Sequence, residues 1–104
     1  MKPSEYLRAA REKIVQHGWT QGTIQDKRGF CALGACAKVC EDRARLEMSD
    51  ARMYHTAQRA LADKCKEIYG RVNVVTVNDT PGRTQQEMLD LFEKAAISLE
   101  EKGE

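Results

Sequence analysis

Apolar residues recur at helical spacing in four places along this chain and form a β-branched run in a fifth. Leu7, Ala10 and Ile14 repeat three and four positions apart, flanked by Tyr6 and Val15, with Glu5, Arg8, Glu12 and Gln16 on the opposite face. Ser4 suits an N-cap and Gly18 a helix stop, so a helix is predicted over residues 4–17. Gly34-Ala35 opens a second helix to about Arg45, with Cys36, Val39 and Cys40 as its apolar face. Residues 46–50 read as a connection, with Ser49 or Asp50 capping a third helix to about Tyr69. Its stripe is Met53, Ala57, Leu61 and Ile68, edged by Tyr54, Ala60 and Cys65, and Gly70 ends it. A last helix runs from about Gln85 to Glu101 on Met88, Phe92, Ala95 and Leu99, widened by Leu89 and Ala96. Thr84 and Glu87 have the spacing of a capping box at its start, and the final Glu-Lys-Gly-Glu is expected to fray.

Two segments read as extended. Asp26-Lys27-Arg28-Gly29 is a polar turn between Thr23-Ile24-Gln25 and Phe30-Cys31-Ala32, the form of a β-hairpin. Val72, Val74, Val75 and Val77 make up the β-branched run and predict a strand. The expected fold is therefore α+β: a small mixed or antiparallel sheet, the hairpin plus one strand, packed with about four helices. Residues 1–104 are expected to form one domain, and no repeat, linker or low-complexity segment interrupts them.

Composition narrows the function more than it names one. The chain is 41% apolar and 32% charged, a globular balance. No apolar run approaches membrane-spanning length and the first residues carry no secretory h-region, so a cytoplasmic protein with no membrane partner is expected. Seventeen basic and sixteen acidic side chains leave a net charge of +1, without the basic excess of a general nucleic-acid binder. Arg43, Arg45, Arg52 and Arg59 cluster, but Asp42, Glu47 and Asp50 are interleaved and no aromatic residues intervene to stack bases. In a reducing compartment Cys31, Cys36, Cys40 and Cys65 are expected to be thiols.

Two segments are richest in residues with backbone tasks. Gly18-Trp19-Thr20-Gln21-Gly22 leads into Cys31-Ala32-Leu33-Gly34-Ala35, and Asn78-Asp79-Thr80-Pro81-Gly82-Arg83-Thr84 leads into the last helix. In the second, Asn and Asp can bond neighbouring backbone, Pro presets φ and Gly allows positive φ. Together these segments resemble a DUF6197-like family of small uncharacterised proteins from actinobacteria and their phages. The matching residues are Gly18, Trp19, Gln21, Gly22, Cys31, Ala32, Gly34, Ala35, Asn78, Asp79, Pro81, Gly82, Arg83 and Thr84. Val77 departs from the pattern, which has Trp there. The resemblance implies a fold and a phage or bacterial origin; it brings no activity, substrate or catalytic residue.

Candidate chemistry is sparse, and each case has a plain structural alternative. Cys31 precedes a helix, where the N-terminal dipole favours a thiolate; His17 or His55 could serve as base and Asp79 as orienter. It could equally be a small apolar residue packed under the second helix. Cys36 and Cys40 lie one turn apart and could chelate with Cys65 or His55, but all three thiols sit on or beside core stripes and no metal is expected. Trp19, Gln21, Asn78, Asp79 and Arg83 are the candidate ligand-binding residues. Trp19 would stack a ligand, and Arg83 with the last helix's N-terminus would hold a small anion or nucleotide phosphate. Their alternative duty is to satisfy turn amides and helix ends.

The leading expectation is a small non-enzymatic interaction protein without catalytic residues or cofactor. Its partner would be a host or self protein, a host protein if the chain is phage-encoded. The alternatives are a small-ligand or nucleotide binder built on residues 78–84, and a cysteine-dependent enzyme centred on Cys31.

Overall fold

Local chemistry accounts for most element boundaries in the computed structural model, which describes residues 1–46 and 50–104. Helix α1 is Pro3–His17. Proline is tolerated in a first turn because the N–H it lacks has no intrahelical partner there. The cap lies two residues before the expected Ser4: Lys2 takes the cap position and its N–H donates to Glu5 Oε1 at 2.7 Å. Ser4 is buried within the first turn. Gly18 closes α1 at φ 93°, with its N–H on Ile14 O at 2.8 Å.

The hairpin is shorter than predicted. Strand β1 is Gln25–Asp26 and β2 is Gly29–Phe30, paired antiparallel. Phe30 is also bridged to Trp19 in parallel, through Thr20 N–H to Phe30 O at 3.1 Å and Phe30 N–H to Gly18 O at 3.0 Å. Cys31 and Ala32 belong to the next helix, because the Cys31 side chain is its N-cap: Sγ accepts from Gly34 N–H at 3.3 Å. Helix α2 is Ala32–Arg45 and α3 is Ala51–Tyr69, capped by Asp50 Oδ1 on Met53 N–H at 3.1 Å. Ser49, the alternative cap, and Glu47, one of the interleaved acids, lie outside the described residues.

The predicted strand through the valines is not a strand. Val74–Asp79 forms a short helix, α4. Asn73, in the middle of the run, caps it by accepting from Val75 N–H at 2.9 Å and Thr76 N–H at 3.2 Å. β-Propensity reflects fit to a half-buried pleated surface, and a side-chain cap offers the backbone another solution. Helix α5 is Gln85–Glu101, with the capping box of Thr84 and Glu87 formed as expected.

The molecule is mostly helical, with a small two-stranded antiparallel sheet among the described residues. α1 lies at the centre, packed on α5, α2, α3 and β2, while α4 sits against α2 and α3. Tyr6, Leu7, Ile14, Leu61, Met88, Leu91 and Phe92 fill the core. Two details depart from the periodicity. Ile68 has the right angle around α3 but falls in its last turn and stays 40% exposed; Cys65 is fully buried. The C-terminal residues, expected to fray, are placed in a hydrogen-bonded turn. Gly103 N–H and Glu104 N–H return to Glu100 O and Leu99 O at 3.0 and 2.9 Å, the double bond of a Schellman turn, with Gly103 at φ 77°. Glu104 O then accepts from Ser4 N–H at 3.1 Å and Ser4 Oγ at 3.0 Å, joining the end of α5 to the start of α1.

Candidate functional site

Four of the five candidate residues converge on one spot, and the fifth supports it from outside. Asn78, at the C-terminal end of α4, is fully buried. Its Oδ1 accepts from Trp19 Nε1 at 2.7 Å and from Ala32 N–H, in the first turn of α2, at 3.0 Å. Its Nδ2 donates to Thr20 O at 3.1 Å and to Asp79 Oδ1 at 2.9 Å. A primary amide offers two lone pairs and two N–H groups, so its capacity is used in full. One side chain thereby binds the segment after α1, the start of α2 and the end of α4.

The neighbours complete the same task. Gln21 Nε2 donates to Asn78 O at 3.0 Å and Thr80 O at 3.1 Å, carbonyls that the end of α4 leaves without helical partners. Asp79 Oδ1 also accepts from Gly22 N–H at 3.0 Å. Thr20, buried, donates from Oγ1 to Asp26 Oδ2 at 2.9 Å, which ties the hairpin in. Asp26 is further held by Arg28, whose guanidinium brings its carboxyl down to about 2. Arg83 faces another way. Its Nε donates to Val77 O at 3.0 Å, Nη1 donates to Glu87 Oε2 at 3.1 Å, and its guanidinium lies 3.9 Å from the centre of the Tyr69 ring. The proposed anion-binding arginine thus caps α4 and stacks on α3.

Glycine makes the close approach of these segments feasible. A Cβ on Gly34 would lie 2.0 Å from Ile24 O, so the loop before β1 rests directly on the first turn of α2. Cys31 N–H donates to that same Ile24 O at 3.1 Å.

The cysteine candidates are placed differently. Cys31 is 3% exposed with its sulfur engaged as a cap. Neither His17 nor His55 hydrogen-bonds to it among the described residues; His17 stands edge-on to Phe30 at 5.8 Å, and both histidines are exposed. Burial pushes the Cys36 and Cys65 thiols up to about 11, which favours the protonated form at neutral pH. Cys40 Sγ lies 3.5 Å from Tyr6 Oη. Among the described residues no group of three His, Cys, Asp or Glu is placed to hold a metal ion. Of the clustered arginines, Arg43 bonds and stacks on Tyr54, joining α2 to α3, and Arg45 pairs with Glu41 at 2.6 Å within α2.

Some organising residues were not singled out from the sequence. Tyr6 Oη donates to Cys36 O at 3.2 Å and accepts from Gln58 Nε2 at 3.1 Å, a buried polar link among α1, α2 and α3; burial raises the tyrosine's pKa further above its ordinary value. Asn73 was missed as a cap although Asn before a run that can turn helical is a standard start signal.

Beside the Asn78 junction lies a shallow apolar depression of about 220 Å³ between Ile24, Leu33 and Val75, with Cys31 in its wall and Gly22, Thr23 and Asp79 at its edge. Larger hollows open elsewhere. One of about 380 Å³ lies where α1 meets the C-terminal residues, and one of about 370 Å³ lies beside His55 and Arg59, its charges of mixed sign.

The class defined by this geometry is a helical scaffold whose signature residues build a buried polar junction. The chain belongs to DUF6197, a family of unknown function, whose profile matches residues 1–98. No curated protein and no solved structure matches it significantly.

Proposed function

We propose that the protein is a small non-enzymatic interaction module that binds another protein, a host protein if the chain is phage-encoded. The observation that carries this reading is the internal use of the signature's polar atoms. Asn78 has no bonding capacity left, Gln21 and Arg83 cap α4, and the Trp19 indole N–H is bonded to Asn78. A site for a small anion would need some of those donors directed outward. A cysteine nucleophile would need an accessible sulfur beside a base, whereas Cys31 is buried and bonded to Gly34 N–H. Locally, the signature reads as architecture, and architecture of this kind presents a surface.

The test is affinity capture from the organism that encodes the chain, run beside a thermal-shift panel of nucleotides and small anions. The expected result is a defined protein recovered in near-stoichiometric amount and no shift from the panel. A rise of several degrees with one nucleotide, abolished by Arg83→Gln, would favour the ligand-binding alternative. Turnover of any substrate that Cys31→Ser eliminates without unfolding would favour the enzyme.

A further inference from the structure

We infer that the depression between Ile24, Leu33 and Val75 receives an apolar side chain of the partner, and that an adjacent lysine or arginine of that partner pairs with Asp79. This rests on the interaction-module reading and adds to it a location and a chemistry. Ile24 is 55% exposed and Leu33 37% exposed, so two large apolar residues flank the hollow while remaining open to solvent. At about 220 Å³ it is smaller than the roughly 300–1,000 Å³ of a typical small-molecule pocket, and it suits one side chain better than a cofactor.

The charge on its edge selects the partner. Asp79 is the one ionisable carboxylate lining the hollow. Its Oδ1 is fixed by Gly22 N–H and the Asn78 amide, while Oδ2 has no partner and the carboxylate makes no ion pair among the described residues. The carboxylate is therefore held in place, half-buried, beside apolar surface, with Oδ2 open to solvent and accessible to a cation. The Leu33 N–H, in the first turn of α2, also has no acceptor among the described residues, whereas the N–H groups of Ala32, Gly34 and Ala35 do. A main-chain carbonyl of the same partner segment would satisfy it. An apolar residue beside a basic one, in an extended segment, meets all three demands.

The probe is a pair of short capped peptides, acetyl-Leu-Lys-Arg-amide and acetyl-Leu-Glu-Glu-amide, titrated into isotopically labelled protein and followed by amide chemical shifts. The basic peptide is expected to move Gly22, Ile24, Leu33 and Asp79 and to bind about tenfold or more tightly than the acidic one. Ile24→Ser, at an exposed position, removes apolar surface without adding charge and should weaken it about tenfold. Asp79→Asn keeps the Oδ1 acceptor for both fixing bonds and should weaken it about threefold to fivefold, with most of the salt dependence lost. Equal response to both peptides, shifts confined to another face, or no binding by either would overturn the assignment. Failure here is separable from failure of the broader reading. A captured protein that still binds Ile24→Ser with full affinity would keep the interaction module and discard this site.

Discussion

Phe92 and Asn78 are both completely buried, yet they hold the molecule in opposite ways. Phe92 belongs to the α1–α3–α5 core, where apolar side chains on regular stripes exclude water and no single pairing dictates the arrangement. Asn78 belongs to the α2–α4 junction, where the segment after α1, the start of α2 and the end of α4 are pinned to one another by directional bonds. The lesson is that redundancy differs. A packed helical stripe spreads its stabilisation over many contacts, whereas the junction concentrates it in one amide whose loss orphans several buried groups at once.

The sharpest way to break the comparison is to truncate both residues. Phe92→Ala should cost about 3–5 kcal/mol from lost burial and the cavity left behind, lowering the global unfolding transition. Asn78→Ala should cost about 3 kcal/mol, because Trp19 Nε1–H, Ala32 N–H and Thr20 O each lose a buried partner. Hydrogen exchange distinguishes the two: Asn78→Ala should release α4 and the hairpin before the core, and Phe92→Ala should release everything together. Uniform exchange in both variants would erase the distinction drawn between the regions.

A smaller effect tests the close approach at the junction. Alanine normally favours a helix over glycine by up to about 1 kcal/mol, yet Gly34→Ala should destabilise by about 1–3 kcal/mol because its methyl group meets Ile24 O. A chemical-denaturation midpoint that rises would show that the loop yields freely. Smaller again, Thr84→Ala should remove about 1 kcal/mol by uncapping α5, measured by the same denaturation, without altering exchange at the junction.

The smallest expected effect is on acidification. Asp26 has its folded pKa lowered from 3.8 to about 2 by Arg28, so its contribution is present above the unfolded value and is lost as pH falls through the folded one. Glu87, bonded to the Thr84 amide, and Glu93, bonded to Arg8, are shifted in the same direction. Melting temperature should fall between about pH 4 and about pH 2 more steeply in the wild type than in Asp26→Asn. Identical slopes would remove the Asp26–Arg28 pair from the account.

How much was legible follows from the range of each signal. Periodicity and caps located four helices: Leu7, Ala10 and Ile14 face the core, Asp50 and Thr84 cap as expected, and Gly18 and Gly70 stop α1 and α3. Of the candidate site, the grouping of Trp19, Gln21, Asn78 and Asp79 was legible as two conspicuous segments, while their mutual bonding was not. Those segments lie 57 to 59 residues apart in the Gln21 and Trp19 pairings, beyond the reach of any local rule. The valine run misled because propensity counts side-chain types, and Asn73 capped the alternative.

Sequence by itself determined that four helices form, where the last one begins, which faces they bury and which residues are suited to turns, because each of these depends on neighbours within about one helical turn. Tertiary structure alone decided that the valines turn helical, that Cys31 is a cap, and that Asn78 spends its bonds on three separate segments. The Asn73 and Cys31 caps use donors two or three residues away, and packing chose them over the extended alternative. The Asn78 bonds depend on which distant donors and acceptors arrive at the same buried place, where every unpaired polar group carries a cost.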